Sequence, residues 1–174
     1  MSRARQRQGN QRLGEDHVRR EIAQRLSLPY LELDAVHHGA GWREASAAEL
    51  QSRVHEFMAS APNGWVIDGN YERKLGDLVL DSAEIIVWLD PPLRTALGRL
   101  WGRTNDRIRN DVELWNGNKE TWRGAFWGRD SLFAWTVRSF IRHRREWPRR
   151  FAAHPRFVRL RSSEEARRWL ERQE

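Results

Sequence analysis

Gly9-Asn10-Gln11-Arg12-Leu13-Gly14-Glu15-Asp16-His17 is the stretch on which the reading of this chain turns. It carries the spacing G-x-x-x-x-G directly before a helix-like run in which Val18, Ile22 and Leu26 recur at i, i+4 and i+8. A glycine loop of that spacing wraps backbone N–H groups around phosphate. It then needs Lys to reach the β- and γ-phosphates and Ser or Thr to hold Mg²⁺. Glu15 and Asp16 stand in those two places and bring negative charge to where a polyanion would sit. The loop has the spacing without the chemistry.

Working outward, 174 residues suit a single domain, 1–174, with room for a real core. There is no Cys, which excludes a disulfide framework and thiolate metal sites. No apolar run approaches the roughly 20 residues of a membrane span. The basic N-terminus lacks the apolar stretch of a secretory signal. The expectation is a cytoplasmic protein with no membrane partner. The net charge of +7 divides into +4 over 1–30, −6 over 31–98 and +9 over 99–174. A basic second half beside an acidic middle suits a phosphate-bearing ligand, and equally RNA or DNA. Of 31 basic residues 29 are Arg, a bias that GC-rich codons also produce, so charge alone does not argue for nucleic acid.

Strands and helices alternate, which predicts an α/β fold with a parallel sheet. A helix is expected over 16–27 and a strand over 28–34, ending in Asp34. A loop holding His37 and His38 follows, then a helix from the Ser46 cap to Ser60, with Glu49 placed for a capping box. A second strand is expected over 64–70, a short helix over 72–81 and a strand fit for burial on both faces over 84–90. Pro91-Pro92 opens a helix to about Arg103. Residues 104–128 are polar, Trp-dotted and weakly periodic, as in a lid. A helix from Asp130 to about Arg145 offers Leu132, Trp135, Phe140 and Ile141 to the core. The last elements are a strand over 156–160 and a helix capped by Ser163.

Leu33-Asp34-Ala35-Val36-His37-His38, Trp65-Val66-Ile67-Asp68-Gly69-Asn70-Tyr71 and Val87-Trp88-Leu89-Asp90 follow one another in order. An Arg-rich region from Arg99 through Trp115-Asn116-Gly117-Asn118 to Gly124 comes after them. With these motifs the chain from Val18 onward, about nine tenths of it, resembles the P-loop kinases related to adenylate kinase. The nearest likeness is to the bacterial topology-modulation or adenylate kinase-like proteins. The resemblance implies a three-layer P-loop NTPase fold, with about five parallel strands in the order 2-3-1-4-5 and helices on both faces. In that order residues 1–8 are strand 1. It implies ATP and Mg²⁺ as cofactors and a small phosphate acceptor, a nucleotide among the candidates.

Carried residue by residue, the resemblance makes Asp34 and Asp68 catalytic carboxylates, with Arg103 and Arg107 stabilising the transferring phosphoryl group. It gives the acceptor His37, His38, Asn70, Tyr71 and Arg73, and the lid Arg109 and Arg123. Gly9, Gly14, Glu15 and Asp16 become a degenerate nucleotide loop, and Mg²⁺ falls to Asp68 or Asp90. Each assignment has a plainer alternative. Asp34 and Asp68 also suit turns or caps, Asp90-Pro91 suits a strand-to-helix turn, and His37-His38 lack a third metal ligand at a recognisable spacing. The Arg138–Arg150 cluster with Trp147 is a second reading, as a nucleic-acid surface.

Residues 1–8 would place Arg3, Arg5 and Arg7 along one face of a central strand. Burying even one unpaired charge costs several kcal/mol, against a total stability of roughly 5–15 kcal/mol. The genetic code offers a common cause. Shifted one base on, legal codons for Gly9 to His17 can spell Gly-Thr-Ser-Gly-Ser-Gly-Lys-Thr-Thr. For example, Glu15 as GAA followed by G gives AAG, Lys, and Asp16 as GAC followed by C gives ACC, Thr. The expectation is an out-of-frame reading of strand 1 and its loop, leaving a chain impaired as a kinase. A true pseudokinase that keeps only the acceptor site is the rival.

Overall fold

A computed structural model of the chain describes residues 15–172. The phosphate-loop glycines Gly9 and Gly14, and the strand expected over 1–8, lie outside the described residues. Helix α1 (Glu15–Arg25) opens on Glu15 and Asp16. An ion pair one turn apart, Arg25 with Glu21 at 3.0 Å, supports its last turns.

Strand β1 (Tyr30–Glu32) pairs in parallel with β2 (Val66–Asp68), in the register Tyr30↔Val66, Leu31↔Ile67, Glu32↔Asp68. Strand β3 (Ile86–Leu89) pairs in parallel with β4 (Phe157–Leu160), Ile86 opposite Phe157 and Leu89 opposite Leu160. Among the described residues these are two separate two-stranded sheets, and β2 does not pair with β3. Each pair has its own core. Leu33, Ala45, Leu50, Val54 and Leu75 form one beside β1–β2. Leu160, Ala166 and Leu170 form the other beside β3–β4, with Ile22 of α1, Val87 and Leu89 packed on it.

Several boundaries move from those expected. β1 stops at Glu32, and Leu33 and Asp34 begin helix α2 (Leu33–His37), because that turn swings Leu33 into the first core. Asp34 therefore sits in a first helical turn, and His37 ends the helix instead of lying in a loop. Helix α3 (Ala47–Ser60) has the expected capping box: Ser46 Oγ accepts from Glu49 N–H at 3.2 Å, and Glu49 accepts from Ser46 N–H at 2.7 Å.

The single helix expected over 72–81 is two, α4 (Glu72–Leu75) and α5 (Leu78–Ser82), broken at Gly76 by a φ of 58°. Helix α6 (Leu93–Arg109) runs one and a half turns beyond the expected end, into the region read as a lid. That region also contains a 3-10 turn (Trp115–Gly117) and helix α7 (Trp122–Phe126).

Helix α8 (Leu132–Arg150) keeps Leu132 and Phe140 half-buried but turns out two of the four residues expected in the core. Trp135 and Ile141 are 54% and 45% exposed, so neither is a core residue. Ser139 is buried instead, and α8 packs on α6 and α7, where Phe133 meets Phe126 at 4.6 Å. In the last helix, α9 (Ser163–Leu170), the cap is Ser162, whose Oγ accepts from Glu165 N–H. Ser163 Oγ instead accepts from Arg99 at 2.7 Å. Among the described residues no helix is long and apolar enough to cross a membrane.

Candidate functional site

The carboxyl ends of β1 and β2 open toward α2 and α4, and four of the expected residues meet there. The Tyr71 hydroxyl donates to Asp34 Oδ1 at 2.6 Å and lies 3.4 Å from His38 Nε2. The His37 ring stands 4.3 Å from the Tyr71 ring and 4.6 Å from that of His38. Burial, with the Asp34 carboxylate second, raises the Tyr71 pKa well above a free phenol's and keeps it a hydrogen-bond donor.

His37 is 2% exposed, with Nε2 3.5 Å from Glu44 Oε2. Such a neighbour favours a charged ring, but burial and the Lys74 ammonium outweigh it and lower the His37 pKa. Lys74 is the ion that Glu44 serves: Nζ donates to Glu44 Oε2 at 2.9 Å and to the Ala45 carbonyl at 2.8 Å, and this holds Glu44 ionised. His37 is thus a neutral ring, and its buried Nδ1 has no partner among the described residues, like Nδ1 of His38.

The far wall comes from the segment that sequence alone placed in a lid. Asn118, 3% exposed, accepts from Trp42 N–H at 2.8 Å and donates to the carbonyls of Gly39 and Trp115, both at 2.9 Å. Asn116, held at φ 56°, donates to the His38 carbonyl at 2.6 Å. Trp115 stacks on His38 with centroids 6.2 Å apart, and Trp42 meets the same ring edge-on at 5.3 Å. Lys74, Glu44 and Trp42 carry no sequence signal for this pocket, whereas Asn118 belongs to the Asn-Gly-Asn turn, since Asn and Gly tolerate positive φ.

Asp68 closes the β2 side. It accepts from the Tyr30 hydroxyl at 2.8 Å and pairs with Arg19 of α1 at 3.3 Å. Burial first, then Asp68, raises the Tyr30 pKa. At Gly69, φ is 127° and an added Cβ would fall 2.9 Å from Leu33 Cβ, so a side chain there has neither the conformation nor the space. Asn70 instead reaches α8, its Nδ2 3.0 Å from His143 Nε2.

Asp90 is 2% exposed and both its oxygens are taken, Oδ1 by Arg144 at 2.8 Å and Oδ2 by Arg159 at 2.5 Å. It ties β3 to β4 and α8. Arg107 pairs with Glu120 at 2.8 Å, whereas Arg73, Arg103, Arg109 and Arg123 lie exposed on α4, α6 and α7. Trp147, the stacking residue of the nucleic-acid reading, packs on His143 at 4.0 Å and edge-on against Trp88 and Phe151. Arg144 and Arg150 of that cluster are held by Asp90 and by Glu72 and Asp77 respectively.

The arrangement can grip a small polar molecule between Asp34, His37, His38 and the Trp42–Trp115 wall. Among the described residues, no group of three or more His, Asp or Glu is placed to hold a metal ion. Compared with protein-family models, with curated proteins and with solved structures, the chain matches none.

Proposed function

We propose that the chain derives from an adenylate kinase-related P-loop phosphotransferase and keeps the acceptor half of its site. The observation that carries this reading is the Asp34–Tyr71 bond at the carboxyl ends of two parallel strands, where open α/β sheets bind their ligands. Parallel pairing of β1 with β2, and of β3 with β4, is also what the order 2-3-1-4-5 requires of its outer strands. Tyr71 occupies Asp34 Oδ1 and orients the carboxylate, leaving Oδ2 to accept a hydrogen bond from an acceptor hydroxyl. The aromatic wall of Trp115 and His38, rings 25° apart, with Trp42 edge-on to His38, suits a flat ring on the same molecule, as in a nucleoside.

ATP with Mg²⁺ is the donor the lineage would use, and the residues present do not fit it. The loop lacks Lys and Ser or Thr, two acidic residues open α1, and both oxygens of Asp90 are engaged by arginine. The chain as written binds acceptor and does not turn over ATP. Isothermal titration tests both halves. A nucleoside or nucleoside monophosphate binds and Asp34→Asn weakens it at least about fivefold, roughly 1 kcal/mol, while Mg-ATP gives no binding heat. Micromolar Mg-ATP binding, or an Asp34→Asn variant with unchanged acceptor affinity, refutes the reading.

A further inference from the structure

Four non-glycine residues among those described have positive φ: Ser27, Trp42, Asp111 and Asn116. Ser, Asp and Asn are common turn residues with short polar side chains. A bulky side chain in that region is a genuine outlier, and of the four only Trp42 carries one. Its φ is 60°, after 65° at Gly41, the two positive values of a type I′ turn, where Gly and Asn are favoured. The turn is closed by backbone bonds. The Arg43 N–H donates to the Ala40 carbonyl at 3.4 Å, and the Gly39 N–H to the Arg43 carbonyl at 2.7 Å. Glycine meets the demand of the turn at Gly41, and tryptophan does not at Trp42.

The chain reversal has no use for the indole, since Asn or Gly would make the same turn without strain. Nor does the first core use it. Trp42 is 40% exposed and is not among the described side chains packed around Leu33, Leu50 and Val54. What the indole meets is the pocket. It stands edge-on to His38 at 5.3 Å, and its backbone N–H is held by Asn118 Oδ1 at 2.8 Å, from 76 positions along the chain. Asn116 in that same far segment also has positive φ, and it donates to the His38 carbonyl at 2.6 Å. Two of the four left-handed residues therefore converge on one histidine of one wall. Unfavourable backbone that its surroundings hold in place collects at binding and catalytic sites, where it aims a group.

We propose that Trp42 is the specificity-determining residue of the acceptor pocket, its indole stacking on the flat ring of the bound molecule. The left-handed turn sets that indole beside His38 with part of its surface open to a ligand. Stacking gains grow with the apolar area covered, so the size of the ring is what Trp42 reads. This inference rests on the reading of the pocket as a site for a ring-bearing acceptor, and it assigns the side chain that selects the ring.

Titration calorimetry of the full chain with adenosine and with uridine reads the stack, and thermal melting reads the turn. Trp42→Ala weakens adenosine at least about fivefold and uridine less, because the smaller ring has less stacked area to lose. Trp42→Phe keeps a flat ring and recovers most of the loss. Trp42→Ala and Trp42→Gly both delete the indole, but only glycine relaxes at positive φ. Trp42→Gly therefore melts above Trp42→Ala by about 2 °C or more, the reverse of their order in ordinary backbone. Should Trp42→Ala aggregate, Trp42→Gly must show the same loss of affinity. An equal loss for both nucleosides, no loss, or no recovery in Trp42→Phe overturns the proposal, even where Asp34→Asn weakens binding and the pocket itself stands. Trp42→Gly melting below Trp42→Ala overturns it through the turn. A parent chain that binds neither nucleoside refutes the reading of the pocket, and this inference with it.

Discussion

The hydroxyl of Tyr71 and the carboxylate of Asp34, 37 positions apart, lie 2.6 Å from one another and join α2 to the loop after β2. Neither residue holds its place alone. Tyr71→Phe removes the donor and leaves Asp34 without its fixed orientation, at a cost of about 1 kcal/mol in urea unfolding. The same variant weakens nucleoside binding, whereas Tyr30→Phe, which frees Asp68 instead, leaves it unchanged.

Asp90 carries the larger stake. Its buried carboxylate pairs with the partly exposed Arg144 and Arg159, and Arg159 also lies 4.3 Å over the Trp88 ring. Removing one partner of a fully buried pair costs about 3–5 kcal/mol, and because Arg144 is 38% exposed we expect about 2–3 kcal/mol for Asp90→Asn. Chemical denaturation measures it. A loss under 0.5 kcal/mol, the usual size for surface substitutions, would mean that the two arginines reach water without help.

Acid should destabilise the fold through His143 and His37. Burial, and then the charge of Arg142, lowers the His143 pKa from 6.5 to about 4, and His37 moves in the same direction. Between those values the unfolded chain binds protons that the folded chain refuses, so stability rises with pH across the window. It is fully present above about 6.5 and is lost as pH falls toward 4. Melting curves at pH 7, 5.5 and 4.5 follow the trend, and His143→Gln flattens part of it.

Asn118→Ala would delete three hydrogen bonds from a buried position at once. Leaving buried partners unsatisfied costs roughly 1–3 kcal/mol. The loss of acceptor affinity should exceed that of Asn116→Ala, whose residue is exposed. Titration calorimetry on the two variants compares them, and equal affinities would show that the wall stands without Asn118.

How much of this was legible beforehand depends on range. The Ser46–Glu49 box spans three residues, and the β-branched run at 84–90 declares its strand locally. The acceptor residues next to Asp34 and Asp68 were marked by motif spacing. The wall was not legible, because Asn118 meets Gly39 across 79 positions and no local pattern encodes that contact. Trp135 and Ile141 misled for a related reason. Periodicity marks an apolar face, but which face a helix buries is settled by neighbours, here α6 and α7, whose Trp101 and Phe126 meet Phe133.

Gly69 limits how this pocket can be reshaped. With φ at 127° and no room for a methyl group against the Leu33 side chain, Gly69 itself cannot be substituted to narrow the corner between the sheet end and α2. A change of acceptor preference is more simply written into the opposite side, on Trp42 and residues 115–118. A library confined to those positions would search the variation the architecture permits.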